Sequence, residues 1–133
     1  MAGLSQYLQQ ELLDHFLKTG AYTQPTNIYV ALFTAAPSDT GGGTEVSGVN
    51  YVRVICNAWD AATAASPSLA HNTAAINFAT PGAGGWGVVT HFALFDSNGG
   101  TNLLGWGALG TPKTINSGDT VYFAAGALDV TMD

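Results

Sequence analysis

The chain has 133 residues, 47 % of them apolar and only 9 % charged, with a formal net charge of −6. Its cations are Lys18, Arg53 and Lys113; three scattered charges cannot neutralise a run of phosphates or hold an anionic membrane surface, so neither nucleic acid nor membrane is expected as a partner. The length suits a single domain over 1–133, and the low charge leaves a surface of Ser, Thr, Asn, Gly, Ala and aromatic residues, suited to being covered by partners.

In chain order, residues 1–20 hold a predicted N-terminal helix over 5–18. Leu4, Leu8, Leu12 and Phe16 recur at i, i+4 spacing, and Leu13 and Leu17 widen the apolar stripe. Lys18 complements the last turn, and Gly20 is expected as the stop. Such a helix must dock, either on its own sheet or on a neighbouring subunit. No secretory signal pattern is read at this end, and no apolar run approaches the roughly 20 residues of a spanning helix.

Residues 28–133 read as a β-sandwich. Residues 28–34 form a continuous apolar strand, expected to be buried on both faces. A glycine-rich excursion follows, Gly41-Gly42-Gly43-Thr44-Glu45, and an alternating strand over 51–59 carries Arg53 and Cys56. Cys56 is expected to be a core thiol. Residues 60–71 read as loop. Short strands are expected over 73–79, 87–95, 102–109, 119–125 and 127–132, with an Asn98-Gly99 hairpin turn. The class expected is therefore mainly β, a sandwich or jelly-roll-like domain with an N-terminal α-helix.

Motifs for chemistry are lacking. Gly82-x-Gly84-x-x-Gly87 has the dinucleotide spacing, but a strand rather than a helix is expected after it, so no cofactor is assigned. His15, His71 and His91 carry no metal-ligand spacing. Asp96 and Asn98 fit a plain hairpin better than a calcium loop, which needs a distal bidentate Glu. There is no G-x-S-x-G elbow, and no catalytic residue is assigned. Trp86 and Trp106, each flanked by glycine, can serve as core filling or as interface anchors.

Several segments together resemble a family of small virion structural proteins of tailed bacteriophages. They are Tyr29-Val30-Ala31-Leu32-Phe33-Thr34 with Ala36-Pro37, the stretch from Gly41 to Gly48, Tyr51-x-Arg53, Asn72-Thr73-Ala74-Ala75-Ile76, Trp86-Gly87 with Val89-Thr90-His91-Phe92, and Lys113 to Val121 leading into Phe123-Ala124-Ala125-Gly126-x-Leu128. Members are named capsid decoration (cement) proteins or tail-fibre proteins.

The resemblance implies a non-enzymatic role in the virion, with synthesis in the host cytoplasm. The first expectation is a capsid decoration protein, a homo-oligomer (trimer) seated on the major capsid protein. The alternative is a tail-fibre or tail-tip adaptor, and a glycan-binding module using Trp86 or Trp106 is a third. Partner contact is expected at Gly41, Gly42, Gly43, Thr44, Glu45, Trp86 and Trp106. Deleting Gly41–Gly43 is expected to weaken assembly and spare the fold.

Overall fold

A computed structural model describes residues 2–132. The elements run β1 (Ala2–Leu4), α1 (Gln6–Phe16), β2 (Tyr29–Ala35), β3 (Thr44–Glu45), β4 (Val54–Ile55), β5 (Ser68–His71), β6 (Ile76–Asn77), β7 (Gly87–Phe95), β8 (Leu103–Ile115), β9 (Tyr122–Phe123) and β10 (Asp129–Met132). The mainly β class with one N-terminal helix is as expected. An eight-stranded sheet follows the path β3-β2-β7-β8-β1-β10-β5, with β4 also on β2, and β6 pairs with β9 in a two-stranded sheet. The pairings are antiparallel except that of β1 with β10.

The register of β2 on β7, with Leu32 opposite Phe92 and Ala31 opposite Ala93, sorts the side chains onto two faces. Val30, Leu32, Phe92, Leu94 and Leu104 point to the main core, where Ile76, Phe78, Trp86 and Leu128 meet them. Ala31, Phe33, Ala93, Phe95 and Leu103 form a smaller cluster on the opposite face, flanked by Tyr29 and Trp106. Val30 through Phe33 are all buried, as the unbroken apolar run predicts.

Ser5 anchors the helix. Its hydroxyl accepts from Leu8 N–H (3.2 Å) and donates to the Leu103 carbonyl, while its own N–H donates to Leu104 O (2.8 Å). One fully buried serine therefore caps α1 and ties it to β8. The helix stops earlier than expected. Lys18, not Gly20, takes the left-handed conformation (φ 64°), and the N–H groups of Thr19 and Gly20 close onto Asp14 O at 2.9 and 3.1 Å.

The structure departs from the sequence reading elsewhere. The N-terminal segment is more than a helix, because residues 2–4 add a strand between β8 and β10. Part of the expected 60–71 loop is β5, an edge strand on β10. The alternating run 51–59 forms a strand only at Val54–Ile55, with an isolated bridge from Trp59 to Asn72, because Tyr51 and Arg53 turn to side-chain partners instead. The β7–β8 hairpin is present, but seven residues, Asp96 to Asn102, separate Phe95 from its partner Leu103. A two-residue Asn-Gly turn is not formed. Arg53 holds this longer loop through the carbonyls of Ser97 and Gly100.

Candidate interface

The glycine-rich excursion between β2 and β4 is gripped at several points. It opens with a tight turn in which Ser38 and Gly41 exchange backbone hydrogen bonds, both 2.9 Å. Gly41, Gly42 and Gly43 all have positive φ (103°, 79° and 76°). The chain then re-enters the sheet at Thr44 and Glu45, opposite Ala35 and Phe33. Gly43 is fixed by space as well as by φ, since a Cβ there would lie 2.7 Å from Pro37 N and 2.8 Å from the carbonyls of Ala35 and Ala36. Gly41 and Gly42 face open space. Deleting all three would therefore remove a packed residue, which corrects the expectation that the fold is spared.

Behind the turn sits an ion-pair hub. The Glu45 carboxylate accepts from Arg53 Nε (2.8 Å), Arg53 Nη2 (2.9 Å) and the Tyr51 hydroxyl (3.1 Å). Tyr51 in turn accepts from Leu32 N–H (2.9 Å), and burial pushes its phenol well above the ordinary tyrosine range. Arg53 Nη1 donates to Ser97 O and Gly100 O, both 2.9 Å, and the guanidinium carbon lies 3.7 Å from the Phe95 ring centroid. One side chain thus joins β3, the β7–β8 loop and the smaller apolar cluster. A groove of about 390 Å³ opens over it, lined in part by Pro37, Thr40, the three glycines and Thr101.

Of the residues expected to meet a partner, Gly41, Gly42, Gly43, Thr44 and Glu45 lie together on this face. Trp106 is on the same face of the sheet, half-buried, and donates from Nε1 to Asp39 Oδ1 (3.0 Å). Its ring tilts against His91 at 5.9 Å. Trp86 lies elsewhere. It is 4 % exposed, packs edge-on to Tyr51 (5.3 Å) and Phe78 (6.4 Å), and donates to Val49 O (3.0 Å). Its ring is core, which corrects the reading of Trp86 as a surface anchor. Its contribution to the excursion is to hold the far end at Val49.

The reading of the residues passed over a second exposed feature as a site. Leu8 and Leu12 point inward, toward Leu94 and Leu104, around a wholly apolar cleft of about 330 Å³. Leu13, Phe16 and Leu17 point out, 50 %, 65 % and 62 % exposed, beside Met132 at 46 %. The signal was present in the width of the stripe. Leu13 and Leu17 extend it beyond the arc one sheet can cover.

The polar residues flagged for chemistry have structural partners. His91 Nδ1 pairs with the Thr90 hydroxyl (2.7 Å), His15 Nδ1 accepts from Tyr22 N–H (3.2 Å), and Asp96 accepts from Asn102 (3.0 Å). Cys56 is buried, and burial pushes its thiol up. Among the described residues no group of three or more His, Cys, Asp or Glu is arranged to hold a metal, and no helix is long and apolar enough to cross a membrane.

His71 lies between Asp60 (3.3 Å) and Asp129 (3.2 Å), latching the 60–67 loop to the β5–β10 edge. The His71 backbone N–H, 2.6 Å from Asp60 Oδ1, leads in holding that carboxyl below its ordinary range. A depressed carboxylate stabilises the fold above its unfolded pKa and loses that contribution as pH falls through the folded value. Lowering pH through and below about 4 is therefore expected to reduce the protection of the His71 amide, its exchange rate compared with that of the unfolded chain at the same pH. In Asp60→Asn that acid-induced step should disappear; an unchanged exchange profile would mean the carboxylate does not hold the latch.

Taken together, these elements define a small, mainly antiparallel β protein whose glycine-rich excursion is pinned from behind by Arg53. The comparison with protein families agrees: residues 3–131 match the family described as Podophage GP4 fiber I protein gp80. The chain belongs to that family, which makes it a tailed-phage virion structural protein of the fibre type. The match favours the tail-fibre reading over capsid decoration. No curated protein matches the sequence.

Proposed function

We propose that this protein is a non-enzymatic tail component of a podophage, a short module that joins fibre or tail proteins rather than the shaft of a fibre. The family match over 3–131 carries the reading. The form of the chain supports the adaptor role, since among the described residues the strands pair side by side into an eight-stranded and a two-stranded sheet rather than repeating along a long axis. Its partners are other phage structural proteins. The face bearing Gly41–Gly43, Thr44 and Glu45, with Trp106 beside it, is proposed to meet them: it is rigidly held from behind, and its tip glycines carry no side chain to exclude a neighbour.

Copy number and position on the particle test this. Quantitative mass spectrometry of purified virions is expected to give a few to a few dozen copies, and labelled particles are expected to show them on the tail. Hundreds of copies, spread over the head, would instead establish the capsid decoration role on the major capsid protein.

A further inference from the structure

The Asn98-Gly99 pair does not make the turn that its sequence suggests. Neither residue takes a positive φ, which a type I′ turn requires of both. The pair instead lies in the middle of the 96–102 loop, and both residues are exposed. Arg53 Nη1 holds the carbonyls on either side, Ser97 O and Gly100 O, each at 2.9 Å. Between those two anchors, and among the described residues, no hydrogen bond engages the Asn98 side-chain amide or the Gly99 N–H.

An asparagine amide and the backbone nitrogen that follows it are a reactive pair when both are free. Asparagine is among the thermolabile side chains, and the side chain of the next residue ordinarily shields the attacking nitrogen. Glycine has no Cβ to do so. Asn98 is the one asparagine in the chain that precedes a glycine. Others are held or shielded. Asn72 is buried, Asn57 donates to Asn27, and Asn102 donates to Asp96. Asn116 is exposed, but Ser117 follows it.

We propose that Asn98 is a site of spontaneous deamidation, and that its product loosens the grip of Arg53 on this loop. The Gly99 nitrogen, on losing its proton, attacks Asn98 Cγ. A C–N bond forms, the Cγ–Nδ2 bond breaks, and ammonia leaves, closing a succinimide ring. Water then adds to one of the two ring carbonyls. Opening at Cγ gives aspartate. Opening at the backbone carbonyl gives isoaspartate, whose main chain runs through the side-chain carbon. Either product places a new carboxylate in the loop held by a guanidinium already committed to Glu45. Isoaspartate also adds a methylene to the backbone between Ser97 and Gly100, which spoils the spacing that lets one Nη1 reach both carbonyls. The inference does not rest on the tail reading, because the loop chemistry is the same wherever the protein sits.

The purified full chain, aged in mildly alkaline buffer, tests this by peptide mapping with mass spectrometry and by enzymatic methylation of isoaspartate. The wild type is expected to convert the Asn98 amide to acid, in both isomers, before Asn116 reacts. The rate should rise with pH, since the attacking nitrogen must first lose its proton. Gly99→Ala should all but abolish the conversion. A Cβ there meets nothing within 4 Å, and the backbone is not left-handed, so the added methyl shields the nitrogen without straining the fold. Circular dichroism confirms that each variant is folded, and Asn98→Gln, whose longer side chain closes a ring far more slowly, serves if Gly99→Ala is not. The separated isoaspartate form should melt below fresh protein, though by less than Arg53→Ala. Asn98→Asp, which adds the charge without the methylene, should fall between the two wild-type forms. An Asn98 that stays an amide, that reacts no faster than Asn116, or that reacts as fast in folded Gly99→Ala overturns the proposal. A converted form that melts like fresh wild type overturns the link to Arg53.

Discussion

Replacing Arg53 with alanine is expected to destabilise the protein by about 2–4 kcal/mol, somewhat below the cost of breaking a fully buried ion pair. The discount reflects geometry, since the Arg53 and Glu45 side chains are 10 % and 26 % exposed. Three losses add up. Glu45 keeps only the Tyr51 hydroxyl, the carbonyls of Ser97 and Gly100 lose their shared donor, and the Phe95 ring loses its cover. For a chain of this size the melting temperature should fall by about 10 °C. Arg53→Lys should recover less than half, because one ammonium cannot grip a carboxylate and two carbonyls along a planar fork. Urea titration of the three proteins measures this. A loss below about 1 kcal/mol would make the hub an ordinary surface ion pair, and the excursion it backs would then be held by its backbone turns alone.

What could be read from the sequence follows from how local each signal is. Strands β2 and β7 were legible because long β-branched and aromatic runs admit few other placements, and Val30–Phe33 and Phe92–Phe95 are buried as those runs predict. The helix was legible from its period. Strands β1 and β5 were not, since Ala2–Leu4 and Ser68–His71 carry no pattern of their own and become strands only because β8 and β10 offer them an edge. The candidate interface was half legible. Consecutive glycines advertise a turn at 41–43, but that Arg53 would back it depends on Ser97 and Gly100, more than forty residues away along the chain. The same limit separates the two tryptophans. Both are flanked by glycine, and what sends Trp86 inward is the aromatic nest of Tyr51 and Phe78, an arrangement of the fold that local composition does not encode.

Trp86→Ala is the second large effect, with an expected cost of about 3–5 kcal/mol, the range for emptying a core aromatic site. Trp86→Phe should cost much less, about 1–2 kcal/mol, most of it volume. Val49 O would lose the indole N–H but keep Gly82 N–H at 3.0 Å, so no carbonyl is orphaned. The gap between the two variants separates packing from hydrogen bonding. Gly48 shows how tightly the site is built, for a Cβ there would lie 2.4 Å from Trp86 Cδ1 and 2.5 Å from Gly85 O.

Tyr51 links this site to the Arg53 hub. Its hydroxyl reaches Glu45 while its ring meets the edge of Trp86. The two grips on the excursion should therefore be coupled. A double-mutant cycle of Arg53→Lys with Trp86→Phe is expected to show about 0.5–1 kcal/mol of interaction, whereas independent sites add within about 0.3–0.5. Strict additivity would mean that the two ends of 38–50 are held separately, and that loosening one leaves the other in place. Coupling means the excursion is positioned as a unit, with its ordering cost met during folding rather than when a partner arrives.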